Sequence, residues 1–168
     1  MIYEFCAENV TLLEKAMQAG ARRIELCDNL AVGGTTPSYG VTKAAVELAA
    51  DYDTTIMTMI RPRGGDFVYN DLEVAIMLED IALTAQAGSQ GVVFGALTAD
   101  KKLDKANLEK LIAASKGMEI VFHMAFDELS EQDQLEAIDW LSQAGVTRIL
   151  TRAGVSGDSL EKRFAHYH

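Results

Sequence analysis

Cys6 and Cys27 each close a short apolar run. Thiolates at the ends of two neighbouring parallel strands can share a soft ion; Cu(I) prefers sulfur, and Met57, Met59 or Met124 can add a thioether. The competing reading makes both cysteines small buried hydrophobes, and Met57 is the best case for plain core filling. The two do not form the Cys-x-x-Cys pair of a zinc ribbon. Arg61-Pro62-Arg63-Gly64-Gly65-Asp66-Phe67 sets two guanidinium groups beside a glycine pair whose amides can approach an anion. Alternatively, Arg61 and Arg63 neutralise interior carboxylates such as Glu4 and Glu25. His123, with Asp127 four residues on, has the groups for general acid–base work or for a third metal ligand, and Glu25 is a further proton carrier.

These residues converge only if the elements carrying them are strands of one sheet. Three segments share a pattern: Gly20-Ala21-Arg22-Arg23-Ile24-Glu25-Leu26, Gly88-Ser89-Gln90-Gly91-Val92-Val93-Phe94 and Gly145-Val146-Thr147-Arg148-Ile149-Leu150-Thr151. In each, an Ala-Gly pair closes a helical pattern and an apolar run follows, which is a helix-to-strand junction with glycine at the left-handed cap. The apolar runs predict strands over residues 2–6, 23–27, 55–60, 91–94, 119–123 and 147–151. Helical patterns fill 9–19, 41–50, 108–115 and 131–143, and the clearest begins after Asn70, whose capping box Glu73 completes. A last helix is expected after Asp158, capped with Glu161, with His166 and His168 on its surface. Alternation places Glu4 and Cys6 on one strand face, and Glu25 and Cys27 on one face of the next.

Strands alternating with helices require parallel pairing, which leaves an open doubly wound sheet or a closed barrel. The first strand is followed by Cys6-Ala7-Glu8-Asn9, without the glycine-rich turn of a dinucleotide fold. A (β/α)8 barrel needs eight units and about 200 residues or more, so the barrel reading leaves its last quarter out.

Composition narrows the partners. The 168 residues carry 15 Lys+Arg against 25 Asp+Glu, a net charge of −10, and are 49% hydrophobic, as in one ordinary globular domain. An acidic chain without a basic run argues against nucleic acid, although a local basic pocket can still hold a small anion. No run approaches the roughly 18 apolar residues of a membrane span. Met1-Ile2-Tyr3-Glu4 does not open like a secretion signal, and two cysteines make no disulfide framework, so reduced thiols in the cytoplasm are the expectation.

Several stretches resemble the CutC family, the proteins named for copper homeostasis: Glu25-Leu26-Cys27, Gly33-Gly34-Thr35-Thr36-Pro37-Ser38-Tyr39-Gly40, Met59-Ile60-Arg61-Pro62-Arg63-Gly64-Gly65-Asp66-Phe67, Gly91-Val92-Val93-Phe94-Gly95-Ala96-Leu97 and Phe122-His123-Met124-Ala125-Phe126-Asp127. The resemblance implies a single-domain TIM (β/α)8 barrel over residues 1–168, present as about six βα units with the last two missing. It further implies a cytoplasmic homo-oligomer, dimer or tetramer, and Cys6 and Cys27 match the cysteines on which the family's copper-binding proposal rests. Two departures stand out. Met124 follows His123 where the family usually has arginine, and Arg152-Ala153-Gly154 replaces Ser-Gly-Gly after the sixth strand.

Two functions follow. One is a copper handler that chelates Cu(I) through Cys6 and Cys27. The other is a barrel enzyme of isomerase or lyase type acting on a small anionic metabolite. There Arg61 and Arg63 grip the anion, and Glu25 or His123, beside Asp127, moves protons.

Overall fold

The computed structural model describes residues 1–152. The helix expected after Asp158, together with His166, His168 and the Ala153-Gly154 departure, lies outside them.

Strand β1 (Glu4–Glu8) leads through α1 (Leu13–Gln18) to β2 (Arg23–Cys27), then through a 3-10 turn at Leu30–Val32 and α2 (Tyr39–Ala50) to β3 (Thr55–Met59). From there α3 (Asp71–Ala87) returns the chain to β4 (Gly91–Phe94), and α4 (Lys105–Ala114) to β5 (Glu119–Phe122). A 3-10 segment at Met124–Glu128 and α5 (Glu131–Gln143) precede β6 (Arg148–Ile149). All neighbouring strands pair in parallel, in the order β1-β2-β3-β4-β5-β6. A doubly wound sheet reverses direction at a switch point and so shuffles its strand order. Strictly sequential order is what a barrel wall requires. The six strands curl into part of a (β/α) barrel, with β1 and β6 as edges among the described residues.

The alternation expected from sequence sorts the faces. Ile24, Leu26 and Ile56 pack under α1 and α2, in a cluster with Leu13, Met17, Ala45 and Ala49. Val92, Phe94, Ile120 and Phe122 pack under the later helices with Met77, Ile81, Leu108 and Leu141. Cys27, Met57, Met59, Val93 and Val121 form a separate cluster on the inner face. Met57 is fully buried there, and a Cβ at Gly91 would stand 2.1 Å from its methyl carbon and 2.7 Å from the Glu119 carbonyl oxygen. Glycine is therefore what lets the Met57 side chain cross the bottom of the barrel, the core-filling role expected of it.

The helix boundaries follow local chemistry. Asn70 accepts from the Glu73 amide while the Glu73 carboxylate accepts from the Asn70 amide, so α3 opens on the capping box read in the sequence. Gly20, Gly88 and Gly145 all adopt positive φ, between 90° and 102° (Gly20 102°, Gly88 90°, Gly145 93°), at the three repeated junctions. Several elements differ from expectation: β6 is cut to Arg148–Ile149 from the expected 147–151, and α4 starts three residues earlier than expected. Asn9 and Leu12 take φ of 56° and 58°, which breaks the helical path, so α1 begins only at Leu13. Strand β1 runs two residues later than its apolar run, because its register with β2 pairs Glu4 with Arg23 and Glu8 with Cys27. Cys6 consequently lies in the middle of its strand rather than at its end.

Candidate functional site

The register of β1 on β2 builds a cluster directly. Cys6 lies opposite Glu25, and Glu8 lies opposite Cys27, so Cys6, Glu25 and Cys27 share the inner face. The Cys6 and Cys27 sulfurs and a Glu25 carboxylate oxygen all lie within 4.8 Å of one another. Cys6 is exposed, whereas Glu25 and Cys27 retain 7% and 1% of their accessible surface. Burial pushes the Glu25 carboxyl up from its ordinary value, the neighbouring Cys6 thiol pulls it back, and the Glu4 charge adds to the rise. The Cys6 thiol beside it raises the Cys27 thiol most, followed by burial and the charge of Glu25, with the Arg61 cation opposing. Without a cation, Cys27 is therefore a protonated thiol; a bound cation replaces the proton and inverts that balance. Two sulfurs and one carboxylate form a donor set for a soft or borderline ion.

A turn closes over this cluster. Gly34 has φ of 90°, and a Cβ placed on it would stand 3.0 Å from Cys27 Sγ and 3.7 Å from the Met59 methyl. Gly34 thus lies directly on the buried thiol, with the Met59 side chain beside it. Arg61, just past β3, fixes that turn: its Nη1 donates to the carbonyls of Val32 (2.8 Å) and Gly34 (2.9 Å), and its Nη2 to that of Gly65 (2.8 Å). The guanidinium also stands 4.9 Å from the centroid of the Phe67 ring. Only 4% of Arg61 is accessible, and among the described residues it forms no ion pair with a carboxylate. Glu4, expected in the interior, is exposed in the structure and pairs instead with Arg23, at 3.1 Å.

His123 follows β5 and is 3% accessible. Its Nδ1 accepts from the Ala125 amide at 3.2 Å, so the neutral ring carries its proton on Nε2. Burial, then the Arg61 charge, bring its pKa down to about 3. The ring packs 4.8 Å from that of Phe67, and Nε2 has no hydrogen-bond partner. The ring is thus a neutral imidazole with an unpartnered N–H, not a cation.

Asp127 accepts from the Thr151 hydroxyl and from the Arg152 amide, tying the chain beyond β6 back to the 3-10 segment. Arg63 is held by the loop it belongs to: Nε donates to Glu73, and Nη2 to Asp66 and to the Val68 carbonyl. It anchors that loop on α3. A cleft of about 530 Å³ opens at the carboxyl ends of the strands, lined by Arg61, Phe67, Lys101, Met124, Asp127 and Arg152 among others. The structure therefore brings Cys6, Glu25 and Cys27 into one cluster and Arg61 and Asp127 into one cleft. His123 packs at a tilt against the Phe67 that lines this cleft, and Arg63 is absent from the lining. Sequence reasoning gave no role to Phe67, although it closes the Arg61–Phe67 stretch, passed over Tyr69 and Lys101, which belong to no motif, and did not identify Gly34 as the cover of Cys27, although the positive φ of a Gly-Gly pair was a usable signal.

Sequential parallel strands, helices on the outer face and polar groups gathered inside and at the carboxyl rim define a protein of the (β/α) barrel class. Residues 1–163 match the family model of the CutC family. A family protein CutC of Enterococcus faecalis is 53% identical over 166 residues, covering 99% of this chain and 79% of the relative. One from Streptococcus pyogenes is 54% identical over 151 residues, covering 90% and 72%. The crystal structure of a candidate copper homeostasis protein CutC from Streptococcus agalactiae superposes with a TM-score of 0.95 at 46% identity, over 99% of this chain and 79% of that one. The chain belongs to the CutC family.

Proposed function

We propose that this protein binds Cu(I) through the thiolates of Cys6 and Cys27 and serves copper homeostasis in the cytoplasm, as a homo-oligomer. The observation that carries the reading is the placement of both sulfurs and the Glu25 carboxylate within 4.8 Å of one another. Two sulfurs bound to one ion at about 2.3 Å each stand no more than about 4.6 Å apart, so little movement is needed to close on it. The donor set suits the ion: soft thiolates select Cu(I), and the Met59 side chain next to Cys27 is a further soft group. Exposure of Cys6 gives the ion a way in, while burial of Cys27 under Gly34 keeps it from water. The name of the S. agalactiae relative points the same way, and a reducing cytoplasm keeps the thiols available.

The test is a competition titration of Cu(I) between the protein and a chromophoric chelator. Wild type is expected to take up one equivalent, and the Cys6→Ser/Cys27→Ser double variant to lose it. Equal uptake by the two would refute the reading. Light scattering on the same samples checks the oligomer, for which a monomer at working concentration is the negative result.

A further inference from the structure

Four buried side-chain polar atoms have no hydrogen-bond partner among the described residues, and three of them, Arg61 Nε, Tyr69 Oη and His123 Nε2, belong to one neighbourhood. Phe67 links two of them, with the Arg61 guanidinium 4.9 Å from its ring and the His123 ring 4.8 Å from it. Tyr69 comes within reach of the Arg61 cation without a hydrogen bond of normal geometry, and burial pushes its phenol up to about 12 against that cation's pull. Leaving such groups unsatisfied costs about 1–3 kcal/mol each, more for a charged one, so their convergence calls for an explanation.

Proton counting shows what the neighbourhood offers. Both Nη1 protons of Arg61 are spent on carbonyls and Nη2 has spent one, which leaves one Nη2 proton and the Nε proton. His123 offers Nε2–H, because Nδ1 is committed as an acceptor. Every free hydrogen on these two residues is a donor. Arg61 lines the cleft of about 530 Å³; Lys101 and Arg152 bring further positive charge to its wall and Asp127 and Glu128 negative charge, the Asp127 carboxylate being occupied by the Thr151 hydroxyl and the Arg152 amide. Lys101 is neutralised by Glu128 at 3.4 Å. Arg152 gives its Nε to the Met124 sulfur and, like Arg61, forms no carboxylate ion pair among the described residues. Val32, Phe67, Met124 and Leu129 supply an apolar wall. The size falls within the roughly 300–1,000 Å³ of small-molecule sites.

We propose that this cleft is a second site, separate from the cysteine cluster, for a small organic oxyanion, a carboxylate or phosphate ester. Its charged end is held by Arg61 and Arg152 and its short apolar body lies against Phe67 and Met124. A guanidinium edge matches two oxygens of either group. The site does not depend on copper, since none of its residues belongs to the thiol cluster.

Calorimetric titration of the full chain tests it, with inorganic phosphate in one arm and succinate in the other; the tighter arm identifies the group. Saturable binding of at least one probe is expected. It should weaken roughly tenfold or more in Arg61→Lys or in Arg152→Ser, the loss expected for a charge-assisted hydrogen bond, and stay unchanged in Cys6→Ser. Arg61 also holds three loop carbonyls, so if Arg61→Lys does not fold, the exposed Arg152→Ser decides alone. Absence of saturable binding to wild type overturns the proposal. So does binding that no folded variant of the two weakens, which would mean an adventitious ion only. Loss of phosphate or succinate binding in Cys6→Ser would also overturn it, by merging the two sites. The Cu(I) titration is read separately, so either reading can fail without the other.

Discussion

Replacing His123 with asparagine is expected to flatten the acid side of the stability profile. The native imidazole titrates at about 3, held down by burial and by Arg61, against an ordinary value of 6.5. As pH falls below 6.5, the unfolded chain takes up a proton that the native state refuses, so native stability drops. The slope approaches about 1.4 kcal/mol per pH unit, and integrating from about pH 7.5 to pH 5 gives a loss of about 2 kcal/mol from this side chain alone. That is a large share of the roughly 5–15 kcal/mol of a typical domain. The burial-raised Glu25 works in the opposite direction, because its native carboxyl takes up a proton while the unfolded one is still ionised, so stability rises as pH falls toward the ordinary value of 4.5. Comparison with the variant cancels that contribution. Asparagine keeps an acceptor for the Ala125 amide, which His123 now caps, so the 3-10 segment retains its start. Urea unfolding of both proteins at several pH values provides the assay. The wild-type free energy should fall toward the variant's by about 2 kcal/mol across that range; parallel profiles would show that His123 is not buried neutral.

Two glycines give sharper packing tests. Gly34→Ala forces a side chain into positive φ at a cost of about 1–2 kcal/mol and presses on the Cys27 sulfur, so both thermal stability and Cu(I) affinity should fall. Gly33→Ala, at φ of 89° but facing the Arg61 Nη1 instead, should lose similar stability while keeping its affinity, and equal affinity losses would refute the covering role of Gly34. Gly91→Ala meets both the Met57 thioether and the immovable Glu119 carbonyl and should cost about 3 kcal/mol in urea unfolding. A change below about 1 kcal/mol would mean that Met57 does not cross the barrel there.

The sequence signals that proved legible are those written in adjacent residues. Asn70 and Glu73 specify their cap within one helical turn, and the Ala-Gly junctions specify three helix ends. Alternation along β2 put Glu25 and Cys27 on one face before any register was known. What was not legible depends on partners distant in the chain. Strand β1 is set by its ladder to β2 and by the Asn9 amide on the Cys27 carbonyl, so the apolar Ile2 and Tyr3 mislead as strand markers while both stay exposed. Arg63 and Glu73 meet across ten residues of loop and helix. Arg61 binds backbone carbonyls, which every residue possesses and no residue type announces.

Arg61 is where the two sites touch. A buried guanidinium without a carboxylate partner is costly, and here three charge-assisted bonds to carbonyls and the face of Phe67 offset that cost. Its charge is felt on both sides, easing ionisation of Cys27 and opposing protonation of His123. Pairing it with a carboxylate would satisfy the charge and cancel both effects; the fold assigns Glu4 to Arg23 instead and leaves Arg61 uncompensated. The same bonds hold the Gly34 carbonyl, and so the turn that covers Cys27. An anion resting on Arg61 would therefore weaken the field that favours the Cys27 thiolate and so lower Cu(I) affinity, and a dithiolate holding Cu(I), which is net negative, would in turn lower anion affinity. By linkage the two effects must be equal in free energy. Any coupling between the two proposed sites would therefore pass through this side chain, with the Gly34 carbonyl it holds as its mechanical arm.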